Sequence, residues 1–257
     1  MSNLKCLVFG SVYLCLFCFI SCHNGSYSPI SVYYEKSVYK CDSLNLIWFL
    51  EDTSKYSVSI QGGDGIYSVT CDKPNIVQIK MISGTDIQVQ PLAVGDAVIT
   101  IRDQSNNVTT IQVHVDYQKS EIKIIGTDLS IAGNLTDEET ETIRNEALQT
   151  IPVKAGGGYL LIYTAQSKGT AIIYPELFGS NSIESSFERA SIKTMSLNGE
   201  EINLPVIYIT INNEKRTFIL NPQLPALGED LTSKFKVKYP KLEMLYTSQT
   251  IKPVIYG

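Results

Sequence analysis

Histidine and tryptophan are scarce in this chain, which has only His23, His114 and Trp48. Most familiar hydrolytic sites need a nucleophile, an orienting acid and a base, and the base is usually histidine. The chain also lacks a Gly-x-Ser-x-Gly turn and a His-Glu-x-x-His helix. No second histidine or acid is placed in sequence to work with His114, which we predict to be exposed on the polar face of a strand. We therefore predict no catalytic residues and a non-enzymatic protein.

Basic residues are outnumbered, with 21 Lys and Arg against 26 Asp and Glu and a net charge of −5. Nucleic-acid-binding surfaces are usually basic, so we predict no nucleic-acid partner. After residue 20 no apolar run reaches the roughly 20 residues that a transmembrane helix needs. The chain has 15 tyrosines and is rich in Ile, Val and Thr, a composition that favours strands.

The first residues have the pattern of an export signal. Lys5 precedes an apolar run over residues 6–20, too short for a comfortable membrane span. The run ends in Phe19-Ile20-Ser21-Cys22, which resembles the lipobox of bacterial lipoproteins. That resemblance implies a signal peptide at 1–21, lipid attachment at Cys22 and a membrane anchor in the bacterial cell envelope. The alternative is an ordinary secretory signal cut elsewhere, with Cys22 a free thiol.

The residue after the acylated cysteine is His23, so the acidic signal that retains lipoproteins at the inner membrane is absent. This favours the outer membrane and leaves the periplasmic and surface faces both open. Residues 22–41 are rich in Ser, Tyr and Asn, and we predict a tether there.

Two cysteines remain after the signal peptide and Cys22 are set aside, Cys41 and Cys71. An oxidising compartment would allow them to form a disulfide. The alternative is that Cys71 is a small buried core residue. Two thiols without a nearby His or carboxylate cluster do not complete a zinc site, so we predict no metal and no cofactor.

Residues 42–117 alternate between apolar and polar positions. Tyr56, Val58 and Ile60 share one face, as do Ile99 and Ile101 further on. Glycine- and Asn-rich turns interrupt the pattern every eight to twelve residues, which is typical of a sandwich of antiparallel sheets.

Three segments of this part resemble bacterial immunoglobulin-like domains. They are the Gly62–Val69, Pro74–Val77 and Leu92–Ile101 stretches, followed by Asp103 and the strand that ends at Val115. The resemblance covers less than a third of the chain and implies an Ig-like β-sandwich of the kind that envelope proteins use as spacers or adhesin modules. Cys71 departs from the family, whose members commonly have a small polar residue there. The fold by itself implies no reaction.

Residues 118–257 resemble no family that we recognise. Thr136 and Glu139 have the spacing of a capping box, and Ile143, Ala147 and Ile151 recur at helical spacing after it. Two hairpins follow, and the polar stretch 178–189 favours a short helix. We predict a small α+β domain with a sheet covered on one side.

The alternating Lys234, Lys236 and Lys238 would give a strand with one basic face that could contact an anionic lipid or glycan. The same spacing also fits a solvent-exposed edge strand protected by its lysines. Alternatively, Leu231 and Phe235 lie at helical spacing, so a helix could pass through these residues. Trp48 lies in an apolar run, and we interpret it as core or interface packing.

We therefore predict a mainly β protein in which an Ig-like spacer presents an α+β domain that binds an envelope protein or a glycan. A carboxylate-based hydrolase similar to glycosidases is an alternative, because such a site needs only two acids. A structural subunit of a surface assembly is another. A cluster of exposed tyrosines would favour glycan binding. Two buried carboxylates that face each other would favour an enzyme, and an uncovered sheet edge would favour assembly.

Overall fold

The computed structural model describes residues 28–35, 37–48, 55–195, 198–221 and 225–252. The predicted signal peptide at 1–21 and the lipidation site Cys22 lie outside these residues. Over the described residues the protein is mainly β, with fifteen strands and two helices. Residues 28–117 form what we call the first region, and residues 118–252 form a closed sheet.

The first region contains seven short strands and the first part of an eighth. These are β1 (Ser31–Tyr34), β2 (Ser43–Trp48), β3 (Tyr56–Gln61), β4 (Tyr67–Cys71), β5 (Val77–Met81), β6 (Asp86–Pro91), β7 (Gly95–Asp103) and β8 (Val108–Gly133). One sheet has the order β1-β3-β6-β5, and the other pairs β4, β7, β8 and β2. All of these pairs are antiparallel except β2 with β8.

The two sheets share one apolar core because their strands alternate between inward and outward side chains. Val58 and Ile60 of β3 are buried against Ile99 and Ile101 of β7, and Ile111 of β8 joins them. The strands predicted from β3 to β7 occur at the predicted places. The predicted tether is corrected in part, because residues 31–34 form β1 and pair with β3.

The closed sheet begins where β8 leaves the first region. Its other strands are β9 (Gly158–Ala165), β10 (Lys168–Tyr174), β11 (Ile183–Met195), β12 (Glu201–Ile211), β13 (Glu214–Asn221), β14 (Ala226–Asp230) and β15 (Leu242–Lys252). Each pairs antiparallel with the next, from β8 to β15. β15 then pairs back on β8 over residues 123–133, so eight strands form a ring with no open edge around its circumference.

This ring corrects the predicted α+β domain. The sheet is not covered on one side by helices but closes on itself, because β8 is long enough to pair with β9 over 118–123 and with β15 over 123–133. The polar stretch 178–189 is also corrected, since its second half lies in β11 rather than in a helix. Both predicted hairpins are confirmed, and Asn212 and Asn213 take the positive φ that their two-residue turn requires.

Helix α1 (Asp137–Thr150) closes one end of the ring. The predicted capping box is present: the Thr136 side chain accepts from Glu139 N–H at 3.1 Å, and Glu139 accepts from Thr136 N–H at 2.8 Å. Ile143 and Ala147 form its buried stripe. They pack with Phe235 of the short helix α2 (Thr232–Lys236) and with residues of β15, so the two helices share an apolar cluster at this end.

Candidate functional site

The two cysteines predicted to bridge are free thiols. Cys41 is attached to β1 by its N–H, which donates to Val32 O at 2.7 Å. Its thiol donates to the carbonyl of Ser43 at 3.1 Å. Cys71 ends β4 in the other sheet and packs on the same core. The predicted disulfide is therefore corrected to two separate thiols held by different sheets, and burial raises the pKa of both.

The predicted anion site consisted of Lys234, Lys236 and Lys238. The prediction of a strand that would align the three lysines is wrong. The helical alternative is confirmed, because Leu231 and Phe235 are both buried at helical spacing. Only Lys234 and Lys236 lie in α2, and Lys238 lies in the turn that follows.

Two of these lysines are neutralised by carboxylates. The Lys234 ammonium lies 3.0 Å from both oxygens of Glu214, and Lys238 lies 2.5 Å from Glu146. These hydrogen bonds hold the pKa of both glutamates below its usual range. The three lysines therefore do not form one anion-binding face.

His114 is exposed on its strand, as predicted, but an acid accompanies it. Asp96 lies directly opposite on β7, and its carboxylate is 2.6 Å from His114 Nδ1. Both side chains are more than half exposed. This is a hydrogen-bonded pair on the surface, and its acid follows only from the register of β7 with β8.

A buried polar cluster lies inside the closed sheet. Arg216 donates to both oxygens of Glu229, with Nε to Oε1 at 2.7 Å and Nη2 to Oε2 at 2.5 Å. Its remaining Nη1 donates to the carbonyl of Thr150, the last residue of α1, at 2.6 Å. Nearby, Gln249 donates from Nε2 to Val153 O at 2.6 Å. Both oxygens of Glu229 are thus occupied, which suits a structural ion pair rather than a general base.

Tyr159 is fully buried in the same interior, and its ring lies 5.7 Å from that of Phe218. Burial raises the pKa of Tyr159 far above its ordinary value. Its hydroxyl has no hydrogen-bond partner among the described residues. In the part of the chain that the structure describes, no three His, Cys, Asp or Glu side chains are placed to hold a metal ion.

The end of the ring opposite α1 is open, and we call it the mouth. It holds a cavity of about 240 Å³ with an apolar floor, formed by Ile122, Leu161, Ile207, Leu220 and Ile251. Arg189 and Lys252 contribute positive charge at its rim. Arg189 has the same strand parity as the buried Phe187, and its Nη1 donates to Tyr163 Oη at 3.2 Å.

A two-stranded arm projects from this ring, formed by residues 190–195 of β11 and 201–205 of β12. Beyond Glu188 no β10 residue pairs with β11, and beyond Val206 no β13 residue pairs with β12. In the described part of the chain, residues 190–195 pair only with β12 and residues 201–205 pair only with β11, over the register from Ala190↔Val206 to Met195↔Glu201. Each therefore has one uncovered edge.

The two faces of the arm differ. One face has Ala190, Ile192 and Thr194 of β11 opposite Val206, Leu204 and Ile202 of β12. The other is mostly polar and includes the Lys193–Glu201 ion pair at 2.7 Å, with the exposed Met195 at its tip. At the base of the arm Pro205 lacks the N–H that another ladder bond on β12 would require.

Sequence reasoning missed the buried ion pair, the mouth and the arm. The buried position of Arg216 could have been predicted from strand alternation. It precedes the apolar Phe218 by two residues in one strand, so both side chains point to the same face of the sheet. Glu229 and the mouth depend on ring closure between strands far apart in sequence, for which the residues give no local signal.

None of the helices in the described residues is long and apolar enough to span a bilayer.

No family model and no curated protein matches this chain. Among solved structures, the chain is similar to one described as the crystal structure of an EHEC O157:H7 intimin mutant. The two are 10% identical, and the match covers 62% of this chain and 98% of that chain with a TM-score of 0.26. A TM-score this low carries no argument about architecture or function.

Proposed function

We propose that this chain is a non-catalytic, lipid-anchored protein of the bacterial envelope that binds another envelope protein by strand pairing. In this proposal Cys22 carries the lipid at the outer membrane, and the first region is an Ig-like sandwich that acts as a spacer. The closed sheet presents the binding element. The observation that carries the proposal is the arm, which exposes an uncovered β edge next to an apolar face.

The β11 edge of the arm is the one suited to accept a strand. Residues 190–195 contain no proline, whereas the β12 edge has Pro205, which blocks a ladder bond there. An added strand would gain main-chain hydrogen bonds from the edge and side-chain contacts with Ile192. The occupant we infer is an extended segment of a partner protein with apolar side chains at alternate positions.

The other hypotheses find less support in the described residues. The six tyrosines described in the closed sheet are all buried or half-buried, so they offer no exposed cluster for a glycan. Glu229 is the buried carboxylate of the ring, and Arg216 occupies both of its oxygens. No other carboxylate is buried among the described residues of the closed sheet, so the facing pair that would favour a carboxylate-based hydrolase is not found there. Assembly with copies of the same chain stays an alternative, because it would use the same edge.

Site-specific photo-crosslinking in cells tests the proposal. A photo-crosslinking residue in place of Ile192 on the arm should yield one discrete adduct with another polypeptide. The same residue in place of the exposed Lys236, on the capped end, should yield none. Mass spectrometry of the adduct identifies the partner, and an adduct composed of two copies of this chain would contradict a separate partner and favour assembly.

A matched pair of substitutions gives the control. Ile202→Lys adds a charge to the apolar face, so we expect it to abolish the adduct at position 192. Asn203→Lys adds the same charge to the opposite face of the same strand and should leave the adduct intact. An adduct that persists in Ile202→Lys, or the absence of any adduct at position 192, would contradict the proposal.

A further inference from the structure

The mouth of the closed sheet is a second feature, independent of the arm's edge. An eight-stranded closed sheet has an interior that side chains fill or that holds one small ligand. Here α1 closes one end and large side chains such as Tyr159 and Phe218 fill the middle. At the mouth, residues of six strands surround a cavity of about 240 Å³.

The cavity combines an apolar floor with a cationic rim. Leu161 and Ile207 are almost fully buried at its base, and Leu220 and Ile251 line it further out. Such walls favour an apolar body. Arg189 and Lys252, which are both exposed, also line the cavity.

The rim charge is not cancelled by neighbouring acids. Glu121, the acidic residue lining the cavity, is paired with Lys123 at 2.9 Å. Among the described residues no carboxylate lies within ion-pair distance of Arg189 or Lys252, whereas most other cations of the closed sheet have such a partner. In a chain of net charge −5, this local excess of positive charge selects an anion.

We propose that the mouth binds a small aliphatic monocarboxylate. Its chain would lie on Leu161 and Ile207, and its carboxylate would accept hydrogen bonds from Arg189 with Lys252 close by. Arginine matches the two oxygens of a carboxylate with its planar fork of donors, and Tyr163 already fixes one of its nitrogens. The volume falls below the roughly 300–1,000 Å³ of sites for drug-sized ligands, so the ligand is a short-chain molecule.

Calorimetric titration of the full chain with octanoate, 1-octanol and octylammonium tests this inference. The three probes share a tail and differ in head-group charge. We expect octanoate to bind and to bind at least about tenfold more tightly than 1-octanol, since a hydrogen bond to a charged group contributes about 1.5–3 kcal/mol. Octylammonium should bind most weakly of the three. Equal affinities, or no binding of octanoate, would overturn the proposal.

Two substitutions separate the roles of charge and volume. Arg189→Gln should weaken octanoate binding by about tenfold or more and leave 1-octanol unchanged. Arg102→Gln removes an exposed arginine from the first region and should change neither affinity. Leu220→Trp, which fills the mouth, should weaken both probes. Unchanged octanoate affinity in a folded Arg189→Gln protein, checked by its thermal melt, would sink the assignment of the carboxylate to this arginine.

Discussion

Between the sheets of the first region the core is apolar, whereas the interior of the closed sheet contains an arginine and a glutamate. The buried carboxylate of the first region, Asp103, lies at the end of β7 and accepts from neutral donors: Asn107 N–H at 2.8 Å and Asn107 Nδ2 at 2.7 Å. Arg216 and Glu229 lie inside the ring itself and are almost completely buried.

The difference follows from how each region closes. Two sheets face to face bury only side chains, because their backbone groups pair within each sheet. A ring also has two ends, and here one of them is covered by α1 with its connection to β9. The last carbonyls of a helix have no partner within the helix. Arg216 and Gln249 supply donors to Thr150 O and Val153 O in this covering segment.

The largest effect should come from breaking the ion pair inside the ring. Glu229→Gln leaves the buried charge of Arg216 without its counter-charge, so we expect the free energy of unfolding to fall by about 3–5 kcal/mol. Denaturant unfolding of the full chain measures this. The double variant Arg216→Met/Glu229→Leu should recover most of the loss, except what the unpaired carbonyl of Thr150 costs. A loss below about 1 kcal/mol in Glu229→Gln would contradict this account.

The matching change in the first region should be milder. Asp103→Asn removes the charge but leaves an oxygen that can still accept from Asn107, and no buried cation loses its partner. We expect a loss of about 1.5–3 kcal/mol, the contribution of a hydrogen bond to a charged group. The same unfolding measurement compares the two variants directly. A loss larger than that of Glu229→Gln would break the contrast between the regions.

The smallest of the three effects should come from the cap of α1. Thr136→Ala removes the side chain that accepts from Glu139 N–H, which should lower stability by about 1 kcal/mol. Thr142→Ala, further along the same helix, removes an exposed hydroxyl that donates to the Glu138 carbonyl and should change stability by about 0.5 kcal/mol or less. Equal losses in the free energy of unfolding for the two variants would contradict the prediction that the Thr136 cap stabilises α1.

The local patterns in the sequence predicted much of the local structure. Alternation placed β3 to β7 correctly, and the Thr136–Glu139 spacing placed the start of α1. Asn212-Asn213 identified a hairpin turn. These features succeed because period-two burial, capping and positive φ are decided by residues only a few positions apart.

The sequence could not predict how the strands close or where the arm ends. Pairing of β15 with β8 joins residues such as Leu242 and Gly133, which are far apart in the chain. The arm has the same alternation as the part of β11 and β12 inside the ring, so parity alone does not show where their outer neighbours stop. The acid beside His114 and the carboxylate partner of Arg216 were missed for the same reason, since both depend on strand register.

β8 runs without interruption from the first region into the closed sheet. From Gln112 to Lys123 every residue has a ladder partner, first on β7 or β2 and then on β9. A pull exerted through a bound partner would therefore reach the first region along a continuous strand, with its ladder bonds loaded in shear and yielding together rather than one by one. The two regions are thus connected by a paired, continuous strand and not by a flexible linker.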